Sequence, residues 1–312
     1  MKKAIVLGSI NYDIVSAVER LPVKGETVKS YSTDMFVGGK GSNQAVQISM
    51  LGMKVQFIGQ VGNDDMGKTV KACLKEKGVD TDGLNVSDAF RTGCATIFVD
   101  PAGDNMLAYA PGANHGISFE QIKQSAGSVT NADIFITQNE INMDAMAKGL
   151  SAAKEAGVPT ILNPAPAIPL DGEIYRLIDY ITPNETEAEV YTGIPLGSLP
   201  FAEWKKQSAK WFLDRGVKAV CITLGNKGSY FSDGINEYDV SAFLVNAVDT
   251  TAAGDAFNGG FAYGVAHKMP IVRCIEIGNA CGALAATVLG AQNSIHNIDQ
   301  IRGFLSERSI EI

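Results

Sequence analysis

Asp249-Thr250-Thr251-Ala252-Ala253-Gly254-Asp255 runs straight into AFNGGFAYGVAH (residues 256–267), so three small residues and an acid open a helical pattern. The first N–H groups of a helix have no partner inside it. Ala252, Ala253 and Gly254 leave those amides uncovered, which suits an anion. Asp255 then stands at the rim of an anion hole as a fixed carboxylate, able to align an acceptor hydroxyl on a phosphoryl group resting on the amides. An acidic helix cap beside a glycine is the plainer alternative.

Working outward, a second glycine-rich stretch is Gly38-Gly39-Lys40-Gly41-Ser42-Asn43-Gln44, followed by AVQISMLG with the spacing of a buried helix. Glycines let backbone approach a ligand closely, and Lys40 and Asn43 add donors. Asn11-Tyr12-Asp13 follows the apolar strand Ala4–Leu7. Further strand candidates are Val55–Val61, Ile134–Gln138, Thr160–Leu162, Tyr180–Thr182 and Ala219–Leu224, alternating with amphipathic stretches such as Met143–Ala156 and Trp204–Leu213. That alternation predicts one α/β unit over residues 1–312, a mostly parallel central sheet with helices on both faces. Ligands in such sheets bind beyond the carboxyl ends of the strands, and Asn11, Glu140, Asn184 and Gly225 fall there. The run Ile275–Ala291 reads as a buried helix interrupted by Glu276 and Asn279. Residues 14–35 and 92–110 break the rhythm as short strands, the second pair joined by Asp100-Pro101-Ala102-Gly103-Asp104.

Composition narrows the function. A net charge of −8 and a pI near 5.0 argue against a nucleic acid or an acidic membrane as partner. The five cysteines form no C-x-x-C pair and the three histidines have no metal-ligand spacing, which predicts buried thiols in a reducing cytoplasm. The N-terminal apolar run is too short for a signal peptide, and no segment is long enough to span a bilayer. Gly62-Asn63-Asp64-Asp65-Met66-Gly67-Lys68-Thr69 matches the phosphate-loop pattern G-x-x-x-x-G-K-[ST]. Its chemistry is poor. Asp64 and Asp65 would each repel a phosphate charge at 4 Å by on the order of 1–4 kcal/mol.

Two other loops suit a nucleotide better. Asn184 and Glu187 in Thr182-Pro183-Asn184-Glu185-Thr186-Glu187 lie one helical turn apart, with oxygens able to hold water around Mg²⁺. The alternative is a capping box. In Thr223-Leu224-Gly225-Asn226-Lys227-Gly228, Gly225 and Gly228 form a tight turn that phosphates could approach, or a plain hairpin.

With NYD, GGKGSNQAV, LNPAPA, ITPNETEAE, ITLGNKG and VDTTAAGDAFNGG in this order, the chain resembles the ribokinase-like family of sugar kinases (the phosphofructokinase-B type), and within it the ribokinases, from about residue 4 to about 306. The resemblance implies ATP-dependent transfer to the primary hydroxyl of a pentose, D-ribose first. Deoxyribose, a ketohexose or a nucleoside are the alternatives, and a non-catalytic sugar sensor is the alternative of another class. It assigns Asp255 as base, with Ala252, Ala253 and Gly254 as the anion hole. Sugar binding is implied for Asn11, Asp13, Gly39, Lys40, Asn43, Glu140 and Asp255, and nucleotide binding for Asn184, Thr223, Gly225, Gly228 and Asn279. Mg²⁺ is implied through water at Asn184 and Glu187. A monovalent cation, K⁺, is implied at Asp249, Thr251, Ala285, Val288, Gly290 and Ser294. The segments 14–35 and 92–110 would be a β lid over the sugar and the surface of a homodimer. A helix N-terminus is expected to lower the pKa of Asp255. Tyr12 stands where ribokinases carry a smaller side chain, so a phenol aimed into the pocket would change its volume.

Overall fold

Short strands that are apolar on both faces can only sit inside a covered sheet. The computed structural model describes the backbone of residues 1–312 and every side chain except those of residues 119, 126 and 128. In chain order the strands are β1 (Lys3–Leu7), β2 (Asn11–Val18), β3 (Ser30–Gly38), β4 (Lys54–Gly62), β5 (Val79–Asp80), β6 (Leu84–Ser87), β7 (Cys94–Val99) and β8 (Asn105–Ala110). They continue as β9 (Ile134–Gln138), β10 (Thr160–Asn163), β11 (Tyr180–Ile181), β12 (Ala219–Thr223), β13 (Ser229–Ser232) and β14 (Glu237–Val240).

The large sheet runs β14-β13-β12-β11-β10-β9-β1-β4-β5, with β6 also on β4. Its pairings are parallel except β12–β13 and β13–β14. Alternation divides its core in two. Ala4, Val6, Ile134 and Ile136 join Phe57, Phe257 and Phe261 on one face, whereas Ile5, Leu7 and Phe135 join Leu162, Trp204 and Phe212 on the other. Each such fully buried side chain is worth about 1.5–3 kcal/mol of transfer free energy, so both faces hold their helices. The expected strands are all present, with ends displaced by a residue or so.

The expected helix Ile275–Ala291 is corrected. The helix spans Ile271–Ala285 and stops there, because the next carbonyl, of Ala286, turns to accept the amides of Val248 (2.7 Å) and Asp249 (3.2 Å). Gly290 follows at φ 92 in a left-handed turn.

β3-β2-β7-β8 form a second, four-stranded sheet in which β2 and β7 are parallel and the outer pairs antiparallel. It contains the two segments that broke the α/β rhythm. β1 lies between β4 and β9, where the strand order reverses, and a crevice opens beyond the carboxyl ends of such strands. The small sheet is attached there, through the residues that follow β1.

Candidate active site

The helix Lys40–Met50 starts hard against the end of β1. A Cβ on Gly41 would lie 2.7 Å from the Cα of Gly8, so only glycine permits this approach, and Gly39 enters the helix at φ 92. Lys40, Asn43 and Gln44 are thereby carried to the crevice. Glu140, just beyond β9, accepts from the Ser9 hydroxyl (2.6 Å) and the Lys40 amide (3.1 Å). Asn11 is fixed through Asn114, whose Nδ2 donates to its Oδ1 at 2.8 Å.

Asp255 is buried at this junction. Asn43 Nδ2 donates to its Oδ2 (2.9 Å) and Gln44 Nε2 to its Oδ1 (3.0 Å). Gln44 also donates to Asn163 Oδ1 (3.1 Å) and accepts from Gln138 Nε2 (2.7 Å). The structure thus brings Asn11, Asp13, Gly39, Lys40, Asn43, Glu140 and Asp255 to one place. The Asp13 Oδ1 and Asn43 Oδ1 atoms are buried without a hydrogen-bond partner, although buried polar atoms are as a rule paired. Two bare acceptors in one crevice fit a ligand that presents hydroxyl protons.

Tyr12 does not enter that pocket. Successive residues of a strand point to opposite faces, and Tyr12 packs against the apolar core while its hydroxyl donates to Met35 Sδ at 3.5 Å.

The Asp255 helix spans Ala253–Ala266 with no side-chain cap on its first turn. Gly254 faces open space and Ala252 before the helix sits at φ 60, ψ 6, but the expected uncovered amide of Ala253 is corrected, because it donates to the Thr250 carbonyl (3.1 Å) across that turn. Sequence reading treated Ala252 as another small residue and missed that it occupies the left-handed region. Asn258 steadies the turn, donating to the Gly254 carbonyl (2.8 Å) and accepting from Thr182 Oγ1 (2.6 Å). A cavity of about 200 Å³ in front is lined by Lys40, Asn184, Glu187, Thr223, Gly254 and Asp255, among others. It meets a groove of about 510 Å³ past Asn184, Thr223, Gly225, Gly228, Phe243 and Asn279. Asn184, Thr223, Thr250 and Gly254 line both, so one path leads from Asp255 to the groove.

Two of the groove assignments have structural occupations. Asn184 and Glu187 form a reciprocal capping box (2.8 and 2.9 Å) that leaves the second Glu187 oxygen outside it. Asn279 accepts from Ser229 Oγ (2.8 Å) and donates to the Ser241 carbonyl (3.2 Å), holding the β13–β14 end against its helix.

Charge is concentrated here. Burial pushes the pKa of Asp255 up, against Lys40 and the Asn43 and Gln44 amides, which corrects the expected lowering. A carboxylate walled off from water outweighs the helix end. Burial alone would lower Lys40, yet Asp255, Glu140 and Glu187 hold its pKa above the ordinary value, so it stays charged. Burial also raises Glu187, against the Asn184 amide and Lys40. Asp13 is pushed up to about 6 by burial, with the Ala95 backbone opposing and Glu140 adding.

Behind the anion hole, Asp249 Oδ1 accepts from the Thr251 amide (2.9 Å) and hydroxyl (2.7 Å), and Oδ2 from the Gly290 amide (2.9 Å). Burial would raise the Asp249 pKa, but these donors bring it below the ordinary value. Ser294 Oγ donates to the Ala291 carbonyl (2.6 Å), and the Ala285 carbonyl accepts from Val288 N–H (3.2 Å). All six residues expected around a monovalent cation belong to this knot or border it. Among the described residues no three His, Cys, Asp or Glu side chains converge as a direct metal cage.

The phosphate-loop match at 62–69 is filled by its own acid. Asp64 caps the helix Asp65–Glu76 through the Gly67 amide (2.8 Å) and accepts from Thr92 Oγ1 (2.6 Å), while exposed Lys68 pairs with Asp65 (2.8 Å). Sequence reasoning gave no role to Gln138, Asn163 or Asn114. Gln44 stood in the quoted motif, but its bond to Asp255 spans 211 positions and no local spacing signals it.

A family model described as pfkB family carbohydrate kinase matches residues 1–298. The chain is 39% identical over 306 residues to a ribokinase of Haemophilus influenzae, covering 98% of this chain and 99% of that protein. A ribokinase crystal structure from Thermotoga maritima superposes with a TM-score of 0.88 at 35% identity, covering 98% of this chain and 99% of that one. An Arabidopsis thaliana ribokinase complexed with ribose and ATP gives a TM-score of 0.88 at 31% identity over 96% and 97% of the two chains. With the family model spanning nearly the whole chain and the site geometry in agreement, the protein belongs to the pfkB family of carbohydrate kinases.

Proposed function

We propose that the protein transfers the γ-phosphate of ATP to the primary hydroxyl of a pentose, D-ribose to ribose 5-phosphate. One observation carries this. Asp255 sits between a set of hydroxyl-binding groups with unpaired acceptors, Asp13 Oδ1 and Asn43 Oδ1, and the first turn of its own helix, which no side chain caps. The similarity to ribokinases over nearly the full length supports ribose, and the relative complexed with ribose and ATP supports the pairing of substrates.

In this reading Asp13, Asn11, Asn43, Lys40 and Glu140 hold the sugar with its primary hydroxyl on Asp255. The hydroxyl oxygen forms the new bond to the γ-phosphorus as the bond to the ADP oxygen breaks, and the proton passes to Asp255. The transition state is loose, so that proton leaves late and a carboxylate suffices as base. The Ala253 amide is taken up by the Thr250 carbonyl, so the amides of Ala252 and Gly254 stabilise charge on the transferring group, and Lys40 adds a fixed positive charge. Thr223, Gly225, Gly228 and Asn279 border the groove assigned to the nucleotide.

Mg²⁺ fits beside Asn184 and Glu187 through water, since it keeps several waters and takes phosphate oxygens rather than a protein cage, and it supplies neutralisation of phosphate charge. K⁺ fits the knot of Asp249, Thr251, Ala285, Val288, Gly290 and Ser294, where carbonyls and one carboxylate suit a large, weakly hydrated ion. The whole chain acts as one kinase domain, with the small sheet as a lid and as the surface of a homodimer. A cytoplasmic location accords with five free cysteines.

The test is a coupled ATPase assay over D-ribose, 2-deoxyribose, ketohexoses and nucleosides. The highest kcat/KM is expected for D-ribose. A preference for any other member reassigns the substrate, and sugar-dependent thermal shifts without turnover on any of them would make the protein a sensor.

A further inference from the structure

β8 is the free edge of the small sheet, and β7 pairs with it so that Ala95 lies opposite Tyr109. β2 runs beside β7 in the register Ile14–Thr96 and Val15–Ile97. One step back, Asp13 comes beside Ala95, whose backbone hydrogen-bonds the Asp13 carboxylate. Asp13, Ala95 and Tyr109 therefore make one row across three strands, on the face that also carries Asn11, since residues two apart on a strand point the same way.

Ala95 is the small member of that row, directly opposite Tyr109. The Asn11 and Asn114 side chains and the charges of Glu140 and Asp13 all act on the phenol. Asn114 is already committed. It accepts from the Ile10 amide (2.9 Å) and donates to the Ile10 carbonyl (3.2 Å) and to Asn11 Oδ1 (2.8 Å). The Asn11 amide nitrogen is left to donate to the phenol oxygen, and a phenol that accepts there keeps its own proton for a third group. Burial raises the Tyr109 pKa, so that proton stays in place through the working range.

The position along the crevice is equally specific. Tyr109 feels Asn11, Asp13 and Glu140, whereas Asp255 feels Lys40, Asn43, Gln44 and Glu140, so Glu140 is the group that the two ends share. Tyr109 stands at the end of the site remote from the reacting hydroxyl.

We propose that Tyr109 is a specificity-determining residue: its phenol donates to the sugar hydroxyl held against Asn11 and Asp13, at the end of the ring away from the hydroxyl that Asp255 orients. This rests on the sugar-kinase reading above. For a pentose phosphorylated at its primary hydroxyl, that end carries the hydroxyls of C1 and C2. An absent hydroxyl there leaves the phenol and Asp13 both unpaired, and sites of this kind discriminate strongly.

The experiment compares wild type with Tyr109→Phe on D-ribose and on its 1-deoxy, 2-deoxy and 3-deoxy analogues. The phenyl ring keeps the packing, and Tyr109 is 39% exposed on an edge strand, so the thermal midpoint of the variant should match wild type. On ribose the variant should raise KM roughly three- to tenfold, the range of one neutral hydrogen bond, with kcat little changed because the contact is remote from the transferred group. That loss should vanish on either the 1-deoxy or the 2-deoxy sugar and persist on the 3-deoxy sugar. Equal KM values on every sugar, or an equal loss on every sugar, would overturn the proposal. Wild-type turnover alone tests the parent reading. If wild type prefers another sugar, the same variant ratio is taken on that sugar and its deoxy analogues, so the two readings fail separately.

Discussion

Asp255 and Asp13 are both buried carboxylates, but their surroundings give them different work. Asp255 has one donor on each oxygen, Asn43 and Gln44, and the Lys40 charge beside it. Its geometry is held before any substrate arrives, which suits a base that must meet a hydroxyl in one place. Asp255→Asn should reduce kcat by roughly 10²–10⁴-fold, the usual span for a general base, while sugar binding measured by calorimetry persists. Turnover near wild type in that variant would take Asp255 out of the mechanism. Asp13 is under-satisfied instead, and burial lifts its pKa to about 6. Its folded-state pKa lies above the ordinary aspartate value, so its contribution to stability is full below the unfolded pKa and is lost as pH rises through about 6. Sugar binding has the opposite sign, because only the carboxylate can accept from two hydroxyls. Sugar affinity should therefore weaken as pH falls below about 6, approaching tenfold per pH unit, in titrations between pH 5 and 8. A flat profile across that range would mean that Asp13 does not accept from the sugar in its ionised form.

At the scale of elements, the start of the Ala253–Ala266 helix decides whether an anion hole exists. Ala252 adopts φ 60 there, a left-handed conformation that costs a residue with a Cβ about 1–2 kcal/mol. The Asp249 hydrogen bonds to Thr251 and Gly290 tie the two flanking segments together around that turn. Ala252→Gly relieves the steric cost but adds backbone entropy to the unfolded chain. The net expectation is a stabilisation between zero and about 1 kcal/mol in urea unfolding, with turnover retained because the amide is unchanged. Ala252→Val should instead lose stability and turnover together, since a β-branched side chain fits this region worst. If valine were tolerated as well as glycine, the left-handed turn would not be what shapes the hole.

At the scale of the molecule, the small sheet has too much exposed apolar surface for a structure that ends there. Met35 is 57%, Met106 47% and Leu107 58% exposed, all on β3 or β8. Apolar groups gathered on one small sheet suit an interaction surface, and the homodimer proposed above would supply one by symmetry. The pair Met35→Glu and Leu107→Glu, made together, should convert a dimer to monomers in sedimentation velocity at micromolar concentration. A wild-type protein that sediments as a monomer would remove the dimer from the functional reading. Because Asn11 and Asp13 of the proposed sugar site lie on β2 of the same sheet, the monomeric variant should also show a raised sugar KM.

What the sequence determined by itself was local or periodic. The near-continuous apolar runs of Ala4–Leu7 and Ile134–Gln138 specified strands buried on both faces, and the spacing of apolar residues after Lys40 and Asp255 specified helices, because both patterns follow from backbone geometry. The runs of small residues and glycine at 38–41 and 252–254 likewise marked where backbone must lie bare or close to a ligand. Contacts across the chain were decided only by tertiary structure. Gln44 reaches Asp255, Gln138 and Asn163 because three strand ends and two helix starts meet at one edge. Tyr12 turns away from the pocket because Asn11 and Asp13 take the other face of β2. The pKa of Asp255 rises where its helix position predicted a fall, because desolvation depends on everything packed around a carboxylate and the helix end is only one neighbour. The tight turn at Ala252 and the early end of the Ile271–Ala285 helix arise the same way. Each is fixed by hydrogen bonds to segments far along the chain, which no window of sequence contains.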